Sequence, residues 1–471
     1  MESTFHGVIA FALLSMMLII GNVIRSKVTF IKNNVIPSSL IAGIVGLVLL
    51  NTGLLGDFTS DDFVPITFHF FTLSFMSLCL CGGIRKKKRP DSNPKDVVRG
   101  GMWLTSAWSL SLGLQGLTGI AVILVFNHFS GGEMSYFLGS IATHGFTQGP
   151  GQALTYGSIW EQQYGIVNAA QVGVIYASLG FVVAFLVGIP MAKHFLRKNL
   201  NTNKESKLDS HYVNGIFEHQ SKPDSGKLVT HSANLDSLAY HIGLLGTAYV
   251  ITYLWLHFIQ GVVAGVDIFG IDFSVLFSFN MFFIHGFTTC LIMRTTMNKL
   301  GLCRTVDDET LKRITGSSVD FMVTGTIMSI KLSVLTALLV PILLVAVATS
   351  LVTTLICLLI GKYSGSLGPE RTITAFGCCC GSTGTGLLLL RMLDSNFSTN
   401  VAKELAFFNV AIVIVNFPIL MIFTPIAPSL SFSGYILLLS SGVIMSLICM
   451  ALLGATSKKS TSINSEVIPN G

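Results

Sequence analysis

Long apolar segments, separated by short polar ones, run along the whole chain. A helix needs about 20 residues to cross roughly 30 Å of hydrocarbon, and eleven apolar segments approach or exceed that length. The pattern predicts an all-α polytopic membrane protein with about 11 spans. The predicted spans are 5–24, 36–56, 63–83, 103–126, 166–192, 238–262, 272–293, 315–331, 334–360, 405–427 and 433–454. Residues 315–360 are too long for one crossing, and the turn within them falls near Lys331 or near Pro341.

Two further Gly-rich segments, 134–160 and 371–391, are apolar but interrupted. Basic residues concentrate in the cytoplasmic loops of membrane proteins. With the N-terminus outside and neither segment crossing, the cytoplasmic loops hold 28 of the 29 Lys and Arg residues. If either segment crossed, basic residues that follow it would move outside. Both are therefore predicted to be re-entrant loops, with the C-terminus cytoplasmic.

The same order of elements occurs twice, which indicates an internal repeat. Residues 1–192 contain four spans, a re-entrant loop and a fifth span, and residues 238–427 repeat that order. Because five is odd, the second repeat is inverted. Residues 193–237 are polar and form a predicted cytoplasmic linker, whereas 428–471 add one span and a cytoplasmic tail.

Composition excludes several classes of protein. The chain is 51% hydrophobic and 11% charged, with a mean hydropathy of +0.69, whereas soluble domains carry about 25% charged residues. A soluble enzyme is therefore excluded. The excess of basic over acidic residues, 29 against 23, is accounted for by the cytoplasmic loops, so no nucleic-acid partner is expected.

The two re-entrant loops are the candidate binding site. Broken helices at matching positions of inverted repeats mark the site of secondary transporters, and helix N-termini bind anions. Small residues also serve tight helix packing, an alternative that stays open for each loop alone. In the first loop the candidates are Thr143, His144, Gly145, Gln148, Gly149, Gly151 and Gln152. In the second they are Cys380, Gly381, Ser382, Thr383, Gly384, Thr385 and Gly386, with a sodium site among Ser382, Thr383 and Thr385.

Four further polar residues are candidates. Arg391 either pairs with a substrate carboxylate or is one more cytoplasmic-edge cation. Asn168, Gln171 and Asn416 either line the site or join helices. Carboxylates lie mainly at predicted membrane edges, which favours sodium over proton coupling.

Several stretches resemble the sodium/glutamate symporter family over roughly residues 5–425. They are Ile36–Gly43, Gly139–Ser140, Tyr164–Val172 and Ala375–Gly381. The resemblance implies a homodimeric secondary transporter with two inverted five-helix halves, which carries glutamate with sodium by an elevator-like movement. Where the family has an acidic residue in the fifth span, this chain has Gln171.

The predicted function is sodium-coupled symport of glutamate or a similar small carboxylate across the cell membrane, with no cofactor beyond the coupling ion. One alternative is a carrier for another organic anion or a neutral solute with other ion coupling. Another is a transport-dead membrane sensor that signals through 193–237. A membrane enzyme using His144 or the cysteines is disfavoured, because no triad or metal spacing accompanies them.

Overall fold

The computed structural model describes residues 2–33, 36–81, 94–204, 225–268, 271–395 and 397–465. The basic run 85–89 and residues 205–224 of the predicted linker lie outside these ranges. Within them the chain is helical, apart from one short hairpin of Asp267–Ile268 and Ile271–Asp272. The all-α prediction is confirmed.

The α-helices are numbered here in chain order. In the first half they are α1 Glu2–Lys27, α2 Thr29–Asn33, α3 Ser38–Asn51, α4 Phe63–Leu80, α5 Pro94–Ser130, α6 Phe137–Ser140, α7 Pro150–Tyr164 and α8 Ala169–Arg197. In the second half they are α9 Ser237–Val263, α10 Phe282–Lys299, α11 Asp308–Met328, α12 Leu332–Ala337, α13 Leu339–Gly361, α14 Gly368–Cys380, α15 Thr383–Leu393, α16 Val401–Val415 and α17 Phe432–Ser465.

Seven helical segments of the described chain are long and apolar enough to cross a membrane, which confirms a multi-pass membrane protein. They are Phe5–Lys27, Ser60–Leu80, Pro94–Ser130, Ala169–Arg197, Ser237–Val263, Leu339–Gly361 and Phe432–Gly454. Helices α3, α10, α11 and α16 lie at the other four predicted spans.

The two faces of α13 show how such a helix is partitioned. Leu351 and Leu355 are exposed on one face, whereas Thr349, Thr353 and Cys357 are buried on the other. A four-residue spacing keeps side chains on one side of a helix. The exposed leucines therefore suit lipid tails, and the buried face turns small and polar groups inward.

The chain interrupts its helix close to Lys331, the first of the two predicted positions. Helix α11 ends at Met328, and after α12 a second break precedes α13. The Ser60 hydroxyl donates to the Ile330 carbonyl at 3.0 Å, and Lys331 Nζ lies 2.7 Å from Asp61 Oδ1. These contacts stabilise the interruption.

The chain forms two compact units. The first comprises 1–88, 154–165 and 210–332, and its core includes Leu14, Phe63 and Met328. The second comprises 89–153, 166–209 and 333–471. Each unit draws on both halves of the sequence, and the second contains both predicted loop tips.

Candidate functional site

The first Gly-rich tip, residues 143–152, is a break between two helices. A π-helical turn, His144–Gln148, follows α6, and Gly149 then takes φ of +82°, which only glycine adopts readily. Pro150 opens α7, where a missing N–H costs nothing. The sequence therefore stops one helix and starts another within a few residues.

Hydrogen bonds to α5 hold this tip in place. The buried Thr143 hydroxyl donates to the Leu112 carbonyl at 2.7 Å, and the Trp108 indole donates to the Thr147 carbonyl at 3.0 Å. Both bonds use polar groups that would otherwise be buried without partners. The first tip is thus attached to α5 at two points.

His144 and Gln148 form a pair on the π-helical turn. Gln148 Nε2 lies 3.0 Å from His144 Nδ1, and His144 is buried. Gln148 is partly exposed, but its Oε1 is itself buried and has no hydrogen-bond partner in the described structure. Gln148 therefore offers an acceptor at the tip, while His144 orients it.

The second Gly-rich tip, residues 377–386, joins α14 to α15. Ser382 caps α15, because its hydroxyl accepts from the Thr385 amide at 3.3 Å. The Thr383 hydroxyl donates to Asn409 Oδ1 on α16 at 2.8 Å. Gly384 is exposed. The start of α15 is therefore the open part of this tip.

Helices α14 and α15 are the two arms of this second hairpin, and glycines allow them to touch. A methyl group built on Gly377 would lie 2.6 Å from the Gly386 Cα, and one on Gly386 would lie 2.8 Å from the Thr374 carbonyl oxygen. Either distance is shorter than a packed contact allows. The glycines of the second tip thus have a packing role as well as a place in the candidate site.

The two tips meet. A methyl group built on Gly149 would lie 3.4 Å from the carbonyl oxygen of Gly381. The break that starts α7 therefore lies against the break that ends α14. The structure brings the two predicted tips together within the second compact unit.

Helix α8 supports both tips through glycines. A methyl group on Gly180 would lie 2.6 Å from the Cys380 carbonyl oxygen, and one on Gly173 would lie 3.0 Å from that of Ala153. Gly145 of the first tip is equally close to α8, because its built methyl would lie 2.7 Å from the Ala177 nitrogen. These contacts leave no room for larger residues.

Helix ends bring both positive and negative groups to the tips. The first N–H groups of a helix lack intrahelical partners and form a positive end, whereas the last carbonyls form a negative end. At α15, the Thr383 and Gly384 N–H groups stand at the exposed start. At α7, Pro150 has no N–H, and Gly151 and Gln152 contribute the first donors. The end of α14 contributes carbonyls instead.

The structure gives the remaining predicted site residues other settings. Arg391 stands eight residues beyond Thr383, about 12 Å along the helix axis, with its guanidinium 5.0 Å from the Phe397 ring centroid. Asn168 is the left-handed residue before α8, and Gln171 is buried in the first turn. The stacking of the Arg391 guanidinium on the Phe397 ring supports a structural role for this side chain.

Asn416, at the end of α16, joins two helices. Its Oδ1 accepts from the buried Ser109 hydroxyl of α5 at 2.8 Å. Of the two sequence interpretations, this contact supports helix joining.

A buried ion pair at the base of the second hairpin was not predicted from the sequence. Arg371 Nε and Nη2 donate to the two Glu404 carboxylate oxygens at 2.8 and 2.6 Å, and Arg371 Nη1 donates to the Ser364 carbonyl. Glu404 is fully buried. The bidentate geometry ties α14 to α16.

A second polar group was also missed at that base. Asp394, which follows α15, accepts hydrogen bonds from the Thr399 and Asn203 side chains at 2.7 and 2.9 Å. Burial raises the pKa of Asp394, but these bonds and those from the Thr399 and Ser398 amides outweigh it and lower the pKa overall. The carboxylate thus fastens the hairpin base as an anion.

Comparison with known proteins identifies the chain. The model of the sodium/glutamate symporter family matches residues 4–387. The chain belongs to the sodium/glutamate symporter family. That membership confirms the family prediction.

Two relatives are named sodium/glutamate symporter, one from Escherichia coli (strain K12) and one from Shigella flexneri. Each is 25% identical over 227 residues, which cover 47% of this chain and 51% of the relative. The chain thus matches about half the length of these symporters.

Proposed function

We propose that the protein is a secondary active transporter that carries glutamate or a similar small carboxylate together with sodium. The observation that carries this proposal is the meeting of the two tips at Gly149 and Gly381. Secondary transporters bind charged solutes within the membrane at broken helices whose ends converge. Family membership supplies the expected solute and ion.

The proposed anion site is the open start of α15. The Thr383 and Gly384 N–H groups, the Gly151 and Gln152 N–H groups and the free Gln148 acceptor are the available groups there. Such donors favour a carboxylate, and Gln148 Oε1 could accept from an ammonium group. Arg391 is not required in this arrangement.

The Ser382 and Thr383 hydroxyls, with Thr385, were the sodium ligands predicted from sequence. In the structure Ser382 caps α15 and Thr383 donates to Asn409. They lie at the positive end of that helix, which disfavours a cation. We therefore assign these hydroxyls to the anion.

The proposed architecture is the one that the charge pattern predicts. Residues 1–192 and 238–427 are inverted repeats, 134–160 and 371–391 are re-entrant, and eleven spans leave the N-terminus outside. The linker 193–237 and the C-terminus are cytoplasmic. Helices at all the predicted spans support this assignment.

The proposed mechanism is an elevator-like movement of the second compact unit in a homodimer. In its support, both tips and their contacts with α5, α8 and α13 belong to that one unit. Moving one uncompensated charge against 100 mV costs about 2.3 kcal/mol. Bound sodium would offset the charge of the substrate and reduce that cost.

The test is uptake of labelled glutamate by proteoliposomes, with and without an inward sodium gradient. We expect sodium-dependent accumulation that Gly381→Trp abolishes, because the residue lies where the tips meet. The matched control is Gly243→Trp, since a methyl group built on Gly243 of α9 meets nothing within 4 Å.

Two other outcomes would redirect the proposal. Absence of glutamate uptake by folded protein, with uptake of another anion or a neutral solute in a competition panel, would reject glutamate. Saturable binding without flux of any solute would favour the sensor.

A further inference from the structure

A buried amide of α5 lies at the end of α14. Gln115 is fully buried. Its Nε2 lies 3.0 Å from Ser111 Oγ, 2.8 Å from Thr353 Oγ1 and 3.0 Å from the Cys379 carbonyl oxygen. A carboxamide has two N–H groups, so three oxygens surround a nitrogen that can satisfy two of them.

Two more oxygens of the same cluster have no partner. Gln115 Oε1 and Thr349 Oγ1 are buried and lack hydrogen bonds within the part of the chain that the structure describes. The Thr349 carbonyl accepts from Thr353 Oγ1 at 2.7 Å, so Thr349 belongs to the cluster. Buried acceptors without partners are rare and destabilising, and they require an explanation.

The electrostatic setting of the cluster favours a positive charge. Cys379 is the second-last residue of α14, and the last carbonyls of a helix form its negative end. Helix C-terminal ends and unwound carbonyls hold coupling cations in broken-helix transporters. Neutral oxygens are the ligands that small hard cations accept.

We propose that Ser111, Gln115, Thr349, Thr353 and the Cys379 carbonyl form a binding site for a small monovalent cation, with the Gln115 amide occupying its place when the cation is absent. Rotation of the carboxamide by about half a turn withdraws Nε2 and presents Oε1, now a ligand. The site rests on the proposed sodium-coupled transport and places the cation away from the anion site at α15.

The position of Cys379 explains how a bound cation affects the anion site. Cys379 is two residues before Gly381, whose carbonyl lies against the first tip. A cation that binds the Cys379 carbonyl fixes the end of α14, and with it the junction where the anion binds. Cation binding therefore raises the affinity for the anion without touching it.

The test measures sodium binding directly on the purified, full-length protein. The unfolding temperature in detergent is followed as NaCl replaces choline chloride at constant ionic strength. We expect sodium to raise the wild-type value saturably. Thr349→Val should raise the half-saturating sodium concentration at least tenfold. Thr354→Val is the control, because it makes the same side-chain change on α13 at a hydroxyl that donates to the Ser350 carbonyl at 2.7 Å and is not a proposed ligand.

Two substitutions of Gln115 distinguish a cation ligand from a hydrogen-bond donor with a purely structural role. Gln115→Leu removes both the oxygen and the N–H groups, whereas Gln115→Glu keeps an oxygen. We expect Leu to abolish sodium stabilisation and Glu to retain it with a half-saturating concentration equal to or below that of the wild type. A purely structural donor to Cys379 predicts the same loss with both.

Each result is decisive. A sodium response that Gln115→Leu and Thr349→Val leave unchanged, with sodium-driven uptake intact, overturns this site and leaves the proposed function standing. No response of the wild-type protein to sodium, in stability or in uptake, overturns both. Equal loss in Gln115→Leu and Gln115→Glu assigns Gln115 to structure and overturns its role as a ligand.

Discussion

The buried ion pair at the base of the second hairpin gives the sharpest stability prediction. Glu404 is fully buried and accepts two charged hydrogen bonds from Arg371, whose side chain is only 16% exposed. Removing one partner of a buried pair leaves an uncompensated charge and costs about 3–5 kcal/mol. We expect Glu404→Gln to lower the free energy of unfolding by that amount.

The assay is unfolding in mixed micelles by titration with sodium dodecyl sulfate. The control is Glu309→Gln, which removes the Lys312–Glu309 pair. Both of its side chains are more than half exposed, and such pairs contribute about 0.2–1 kcal/mol. If Glu404→Gln destabilises no more than Glu309→Gln, burial does not make the Arg371–Glu404 pair more important for stability than an exposed pair.

A double variant tests the cause of the loss. An apolar pair of similar volume can replace a buried ion pair with little loss, because both desolvation penalties disappear. Arg371→Met with Glu404→Met should therefore be more stable than Glu404→Gln alone. A double variant less stable than Glu404→Gln would show that packing, not the stranded charge, dominates.

Three further predictions follow from contacts at the tips and the hairpin base. Gly180→Ala should strongly reduce uptake, whereas Gly243→Ala should not, because only the first methyl would lie within 2.6 Å of a backbone oxygen; equal uptake would contradict the packing described for α8. Ser382→Ala should lower the free energy of unfolding by about 1 kcal/mol through loss of the helix cap, and a value near zero would contradict capping. Because hydrogen bonds outweigh burial and lower the pKa of Asp394, its stabilising effect is complete above the ordinary value of about 3.9 and is lost as the pH falls through the lowered pKa. Asp394→Asn should remove that part of the acid dependence in a pH titration of unfolding, and an unchanged profile would contradict it.

The coarse architecture was predictable because each part has a strong local signal. Apolar length marks the spans, and clustered glycines with Pro150 mark the helix breaks. Less regular boundaries were missed. The span predicted at 405–427 is helical from Val401, ends as an α-helix at Val415 and continues as a π-helical segment, Pro418–Phe423. Pro418 explains the change, because it has no N–H to donate.

The polar contacts were less predictable because they join residues distant in sequence. Arg371 and Glu404 fit the charge pattern of cytoplasmic loops, and nothing in their spacing pairs them. Gln115 carried a usable signal, since it and Ser111 lie four residues apart on one face of an apolar span. Polar residues inside spans are commonly functional. Sequence patterns locate such an amide, but its partners on α13 and α14 come from tertiary packing.

The buried cysteines make the second hairpin a natural reporter of its own opening. Cys378, Cys379 and Cys380 form the last turn of α14, and all three thiols are free and buried. A maleimide reagent could reach them only when the hairpin separates from its neighbours. Once the six cysteines outside this turn are replaced, the rate of alkylation would report how often the hairpin opens; they are Cys79, Cys81, Cys290, Cys303, Cys357 and Cys449. The alkylation rate of three native cysteines would thus measure this movement without an engineered label.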